Sequence, residues 1–444
     1  MDPATSSSAS SPPASAADAA GGGAARDARP VSAVSGAVGL AGLAGLALWV
    51  AAAQHWGLDG PYAALVNVLA CAVPMVGWSL LVDRVHRNAS TGIDWDHPRP
   101  WRATIDISIT KLTGLWITWG AMAAVYLLAR FWWDTRFANF PFAMGCFAAA
   151  APFLFVLSVP YVIWLDRYLV DPRDGAWSLG AWLMGAEGAD RAAIANHLRS
   201  WAVKGFFLAF MVAIVPANFG QFVAIDPRRA LASPVTLAGY CIDFMFMVDV
   251  AFATAGYVLT FRPLDSHIRS ANPYAAGWTA ALICYPPFVL MGGGGPLDYH
   301  PGTADWTYWL AGHDWALAVL GGVLVGLTAI YAWATVAFGL RFSNLTHRGI
   351  LTHGPYAFSR HPAYLAKNLF WWFSTLPFLA TTGTSDAIRN TALLAAVSGV
   401  YYWRAKTEER HLSADPAYRA YDAWMARYGL VPRLFARLGL SRGA

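Results

Sequence analysis

The stretch WALAVLGGVLVGLTAIYAWATVAFGL, Trp315 to Leu340, runs its whole length without a charged side chain. As a helix it is long enough to cross the roughly 30 Å hydrocarbon core of a bilayer. It is not alone. Comparable apolar runs recur along the chain, at approximately 31–54, 61–82, 109–131, 141–164, 203–225, 233–260, 275–293, 315–340, 363–382 and 387–405. The expected fold is therefore all-α: a polytopic integral membrane protein with about ten transmembrane helices.

Composition agrees. Of 444 residues, 57% are hydrophobic and 13% charged, with 22 tryptophans. Soluble domains carry roughly a quarter charged residues. The net charge of +5 does not point to nucleic acid, because the basic residues sit at the ends of apolar runs. Nearly all of them fall in alternate loops, whereas the intervening loops hold only Arg130, Arg136, Arg228 and Arg229. That asymmetry predicts cytoplasmic N- and C-termini and an even number of spans. The Ala-, Gly- and Arg-rich usage suggests a bacterial inner membrane. Cys71, Cys146, Cys241 and Cys284 all lie in apolar runs, without metal-like spacing, so neither a disulfide framework nor a metal site is expected. Residues 1–30, rich in Ala, Ser, Pro and Gly, read as a disordered tail. A signal peptide does not fit, since the start is acidic and the first apolar run begins too late.

Between the eighth and ninth runs lies HGPYAFSRHPAYLAKN, His353 to Asn368. Polar groups at the mouth of an apolar segment are costly, so this concentration calls for a purpose. Pro362 suits the first position of a helix, with His361 as its cap. Tyr364, Lys367 and Asn368 then share a face. The helix N-terminus suits a small anion. After the tenth run comes YYWRAKTEERHL, in which Arg404 and Glu408 are one turn apart and Glu409 adjoins them. Carboxylates can hold a cation there, and Arg404 a carboxylate with two parallel bonds. Any one of these residues alone would be an ordinary interfacial anchor. The ordered set is more specific than that.

Gly354, Tyr356, Arg360, His361, Pro362 and Tyr364, then Arg404, Glu408, Glu409 and Leu412, then Tyr418, Tyr421 and Pro432 follow a recognisable order. Over roughly residues 336–435 the chain resembles the isoprenylcysteine carboxyl methyltransferase family. The resemblance implies S-adenosylmethionine as methyl donor, bound between the last two spans and the tail on the cytoplasmic side. It implies a donor pocket made by Gly354, Tyr356, His361, Pro362, Tyr364, Glu408, Glu409 and Leu412. Arg404, Arg360 and Glu408 would be catalytic, Arg404 orienting the acceptor carboxylate. The acceptor would be a lipidic or membrane-embedded acid, methylated as an ester. This chain departs from the family pattern at Ala366, Lys367 and Asn368, where a glycine is usual, and at Ala405, where isoleucine is common.

The expected layout is a tail (1–30), a transmembrane region of eight spans (31–335), a catalytic region (336–435) and a short C-terminal tail (436–444). Two other readings remain open. Membrane sterol reductases, which use NADPH, are similar in the same region, although their asparagine–tyrosine and glycine–aspartate signature is missing from RHPAYLAKN. A non-enzymatic carrier or flippase would use the intramembrane Asp243 and Asp249, which do not share one helix face. The first eight spans have no assigned role.

Overall fold

A computed structural model describes residues 28–130, 134–135 and 138–437. The expected N-terminal tail lies outside the described residues apart from 28–30, as does the C-terminal tail beyond 437. The protein is an all-α polytopic membrane protein. The helices of eight or more residues are α1 (Gly36–Trp56), α2 (Pro61–Leu81), α3 (Trp101–Leu128), α4 (Phe140–Asp166), α5 (Gly175–Leu183), α6 (Arg191–Val223) and α7 (Pro234–Val258). They continue with α8 (Ala275–Leu282), α9 (Asp314–Phe338), α10 (Pro362–Thr375), α11 (Thr384–Leu412), α12 (Pro416–Tyr428) and α13 (Leu430–Arg437). Among the described residues, strand is confined to two-residue pairings, of which β1 (Ser270–Ala271) with β2 (Thr346–His347) matters for the site.

Among the described residues, seven helices are long and apolar enough to cross a membrane: α1, α2, α3, α4, α6, α7 and α9, the last continued to Arg341. They correspond to seven of the ten expected spans. Large apolar side chains such as Leu48, Leu127, Phe153 and Val156 are exposed on them, which suits a hydrocarbon solvent rather than water.

The other three expected spans take a different form. The run at 275–293 contains only the eight-residue helix α8. The chain nonetheless travels most of the length of α11. Asn272 Nδ2 reaches the Thr407 carbonyl at one end (3.4 Å), and the Pro301 carbonyl accepts from Asn390 Nδ2 at the other (2.8 Å). Pro286 and Pro287 lack the amide hydrogens a helix needs, and the glycines from 292 to 295 favour turns. Irregular backbone at that depth is tolerated where protein covers it. The ninth expected span is the 14-residue α10, which ends at Leu376 in the left-handed conformation. The tenth, α11, has 29 residues, enough length, but its final turns are polar.

Two close approaches tie the N-terminal helices together. A Cβ on Gly114 would lie 2.0 Å from the Ala176 carbonyl, and one on Gly180 1.9 Å from that of Thr110, so α3 and α5 cross backbone to backbone. Lys111, buried in α3, is paired with Asp166 (2.5 Å) and Asp174 (3.2 Å), which removes an otherwise prohibitive isolated charge.

Arg348 fastens the helix ends above the site. Its guanidinium is buried and donates to five carbonyls: Ser266 (2.6 Å), Gly256 (2.9 Å), Phe342 (2.8 Å), Leu259 (3.2 Å) and Leu340 (2.8 Å). The C-termini of α7 and α9, and the loops after them, leave these carbonyls short of backbone partners, although that of Leu259 also accepts from Ser266 Oγ (2.5 Å). The segment before α1 joins the same region, with Ala33 N donating to the Ile350 carbonyl (2.9 Å) and Ser32 Oγ bonded to His353 Nδ1 (2.8 Å).

Candidate functional site

Where α10 and α11 meet the 341–351 segment, a cavity of about 180 Å³ opens. α9 contributes Tyr331, Thr335 and Phe338 to it; α10 contributes Ala363, Tyr364 and Lys367; α11 contributes Tyr401, Arg404, Glu408, His411 and Leu412. Tyr418 and Tyr421 of α12 close one side, and Tyr285, from the irregular crossing, closes another.

Arg404 is 3% exposed yet lines this cavity. Its Nη2 donates to Asn344 Oδ1 at 2.6 Å. The guanidinium lies 5.1 Å from the Tyr364 ring centre and 5.6 Å from that of Tyr285. Nε stands 3.5 Å from Glu408 Oε1 and has no hydrogen-bond partner. A buried charge with donors to spare is costly unless something occupies them. An anionic ligand is the natural occupant.

The adjacent carboxylates part company. Glu408 points into the cavity, where Oε1 accepts from the Tyr364 hydroxyl, and its Oε2 is 3.9 Å from His361 Nδ1. Glu409 faces away and is fully engaged, bonded by His361 Nε2 (3.1 Å) and Lys406 Nζ (2.8 Å), with Arg360 Nε at 3.6 Å. Burial opposes its ionisation, but the bonds from His361 and Lys406 and the charge of Arg360 outweigh that and hold its pKa down to about 2. The two side chains on successive positions of one helix point about 100° apart, so adjacency in sequence did not make them a pair.

Other expected site residues divide in the same way. Tyr356, Arg360, His361, Tyr364 and Leu412 line the cavity with Arg404 and Glu408. His361 lies flat on Tyr364, with ring centres 5.6 Å apart and planes 3° apart. It holds the N-cap position of α10, as expected, but its side chain makes no capping bond and is bonded to Glu409 instead. Arg360 is tied to Asp422 as well as Glu409, which latches α12 onto α11 at the cavity rim. Gly354 and Pro362 stand behind the wall. Gly354 has φ +58°, and a Cβ there would meet Trp333 Nε1 at 3.2 Å, so its glycine serves a tight turn against α9. Pro362 opens α10 and is buried.

Several lining residues were not singled out for the site by sequence. Asn344 and Tyr285 hold Arg404, and nothing in their local pattern marks them. Lys367 was placed on the right face but given no role. His411 lines the cavity and bonds Ser270 Oγ of β1 at 2.9 Å. Burial, then the charges of His347 and Arg199, push its pKa down to about 4, so it is a neutral partner near pH 7. Of the two intramembrane aspartates, Asp243 is exposed on α7. Asp249 accepts from Tyr331 Oη (2.7 Å) and from Thr335 Oγ1, two residues of the cavity wall.

Residues 309–424 match the family described as a protein of unknown function (DUF1295). That segment carries α9 to α11 and most of α12, and so most of the cavity wall. Neither a curated protein nor a solved structure matches the chain.

Proposed function

We propose that the cavity is the active site of an S-adenosylmethionine-dependent methyltransferase that esterifies a carboxylate on a membrane-embedded lipidic acid. The observation that carries this reading is the pairing, in one cavity, of a buried arginine with spare donors and a glutamate with a spare oxygen. A zwitterionic donor and an acidic acceptor need that combination.

S-adenosylmethionine, when bound, supplies an electrophilic methyl group next to a positive sulfur. Glu408 offers negative charge to that part of the site, and Tyr364 fixes the carboxylate's direction. His361 and Tyr356 supply flat or apolar wall. Arg404 aligns an acceptor oxygen. An ionised carboxylate needs no general base, so the chain's contribution is orientation and exclusion of water.

Glu408→Gln is expected to weaken S-adenosylmethionine binding by about 1.5–3 kcal/mol while the protein stays folded, through loss of one charge-assisted bond. Calorimetry on purified protein measures it. Unchanged affinity in a folded variant removes Glu408 from the donor site.

One observation favours a second reading, an NADPH-dependent reductase. The Tyr331 hydroxyl, bonded to Asp249, is a proton donor in the cavity wall that ester formation does not require. Thermal stabilisation by NADPH and not by S-adenosylmethionine would select it.

The site is proposed to face the cytoplasm, following the arginine asymmetry. In a background without the four native cysteines, His300→Cys should react with an impermeant maleimide in intact cells and Ser413→Cys should not. Both positions are exposed. The reverse labelling pattern overturns the orientation.

A further inference from the structure

Lys367 is a cation of this cavity to which the described residues offer no direct ion pair. Arg404 has Asn344 and Glu408 beside it, and Arg360 has Glu409 and Asp422. Lys367 Nζ lies 5.5 Å from the Tyr331 ring centre, 5.3 Å from that of Trp371 and 6.0 Å from that of Tyr401, with Asp249, Arg404 and Cys284 near enough to act on its charge. Among the described residues no carboxylate comes within ion-pair distance of it. Asp249 is the acid nearest in influence, but both of its oxygens already accept from Tyr331 and Thr335.

Depth matters as much as charge. α10 starts at Pro362 beside the polar rim and enters the apolar layer, so Lys367 stands more than a turn deeper than His361. Leu365, Leu369 and Phe373 of the same helix are exposed apolar residues. An ammonium at that depth, with π faces but no direct ion pair, is expensive unless an anion arrives. The aromatic shell also restricts what can arrive. Three rings lie near the ammonium, and the residue lines the cavity.

Resting on the methyl-transfer reading, we infer that Lys367 is a second acceptor-binding residue beside Arg404, and that the acceptor is a single-headed monocarboxylate amphiphile whose ionised head meets the Lys367 ammonium inside the cavity. The carboxylate is then shared: the Lys367 ammonium neutralises it, and Arg404, in the same cavity, aligns the oxygen that takes the methyl group. Tyr331 is positioned by Asp249 and sets the ring against which the ammonium rests. A neutral lipid alcohol of the same tail can accept a hydrogen bond from Lys367 but forms no ion pair with it. Position 367 thus selects for acids. It lies where this chain departs from the methyltransferase pattern, as a residue that decides the substrate would.

The test uses the full chain in detergent and two probes, palmitate and farnesoate, each against its own alcohol, with no methyl donor present. Wild type should bind at least one acid about tenfold or more tightly than the matching alcohol. Lys367→Met should lose that preference, and Lys367→Arg should keep part of it. Thermal stabilisation by S-adenosylmethionine is measured on the same preparations and should survive Lys367→Met, which also reports that the variant is folded. Equal binding of acid and alcohol by wild type, or an undiminished acid preference in a folded Lys367→Met protein, overturns the inference. Loss of the preference in Lys367→Met, without any response of wild type to S-adenosylmethionine, upholds the acid site and rejects the methyl-transfer reading.

Discussion

Arg404→Lys is expected to lower methyl transfer by about a hundredfold or more in a protein that still folds. The side chain does four things at once. It donates to Asn344, approaches Glu408, stacks on Tyr285 and stacks on Tyr364. A lysine ammonium can keep one of the polar contacts but has no plane to lie between two rings. The carboxylate of the acceptor would then lose its two-pronged alignment, and displacement by about 1 Å suffices for a loss of that size. Donor binding should fall much less than transfer, because the Tyr364–Glu408 bond does not involve Arg404. The measurement is transfer of labelled methyl from S-adenosylmethionine into a membrane lipid extract, with donor affinity determined on the same sample. Wild-type label should be released by mild base, as an ester is. Base-stable label, or normal transfer by Arg404→Lys, would rule out carboxyl methylation guided by this arginine.

Arg348→Lys should have the largest effect on stability. Five carbonyls from the ends of α7 and α9, the turn after α7 and the Ser266 loop converge on one guanidinium. An ammonium has three donors in a tetrahedral arrangement and a shorter lateral reach. At least two carbonyls must lose their bonds, at about 1–3 kcal/mol for each buried acceptor left alone. The cavity should suffer with the fold, since residues 341–351 form part of its wall. Detergent-solubilised Arg348→Lys is expected to melt well below wild type and to elute with a large aggregated fraction. A variant that melts with wild type would mean that water replaces the lost donors. Arg404→Lys serves as the comparison, since it alters the cavity without touching these helix ends.

Hydrophobic runs decided where the long helices lie, because a bilayer offers no solvent for an unpaired backbone group and so makes helix nearly obligatory wherever the chain stays apolar. Seven expected spans became long apolar helices for that reason. Where proline and glycine broke the run at 286–295, sequence could not say whether a helix would persist, and the structure has only the short α8 before the chain turns irregular. Local periodicity likewise placed Arg404 and Glu408 one turn apart on α11, and Tyr364 and Lys367 together on α10, since contacts at three and four residues are fixed by the helix itself. What closes the site lies far off in the chain. Asn344 is sixty residues from the Arg404 it holds, Tyr364 forty-four from Glu408, and Asp249 eighty-two from Tyr331. No local pattern encodes such partners, because they depend on how helices pack and not on their own repeat. The same packing sent Glu408 into the cavity and Glu409 to His361 and Lys406, and it left the Lys367 ammonium near three rings.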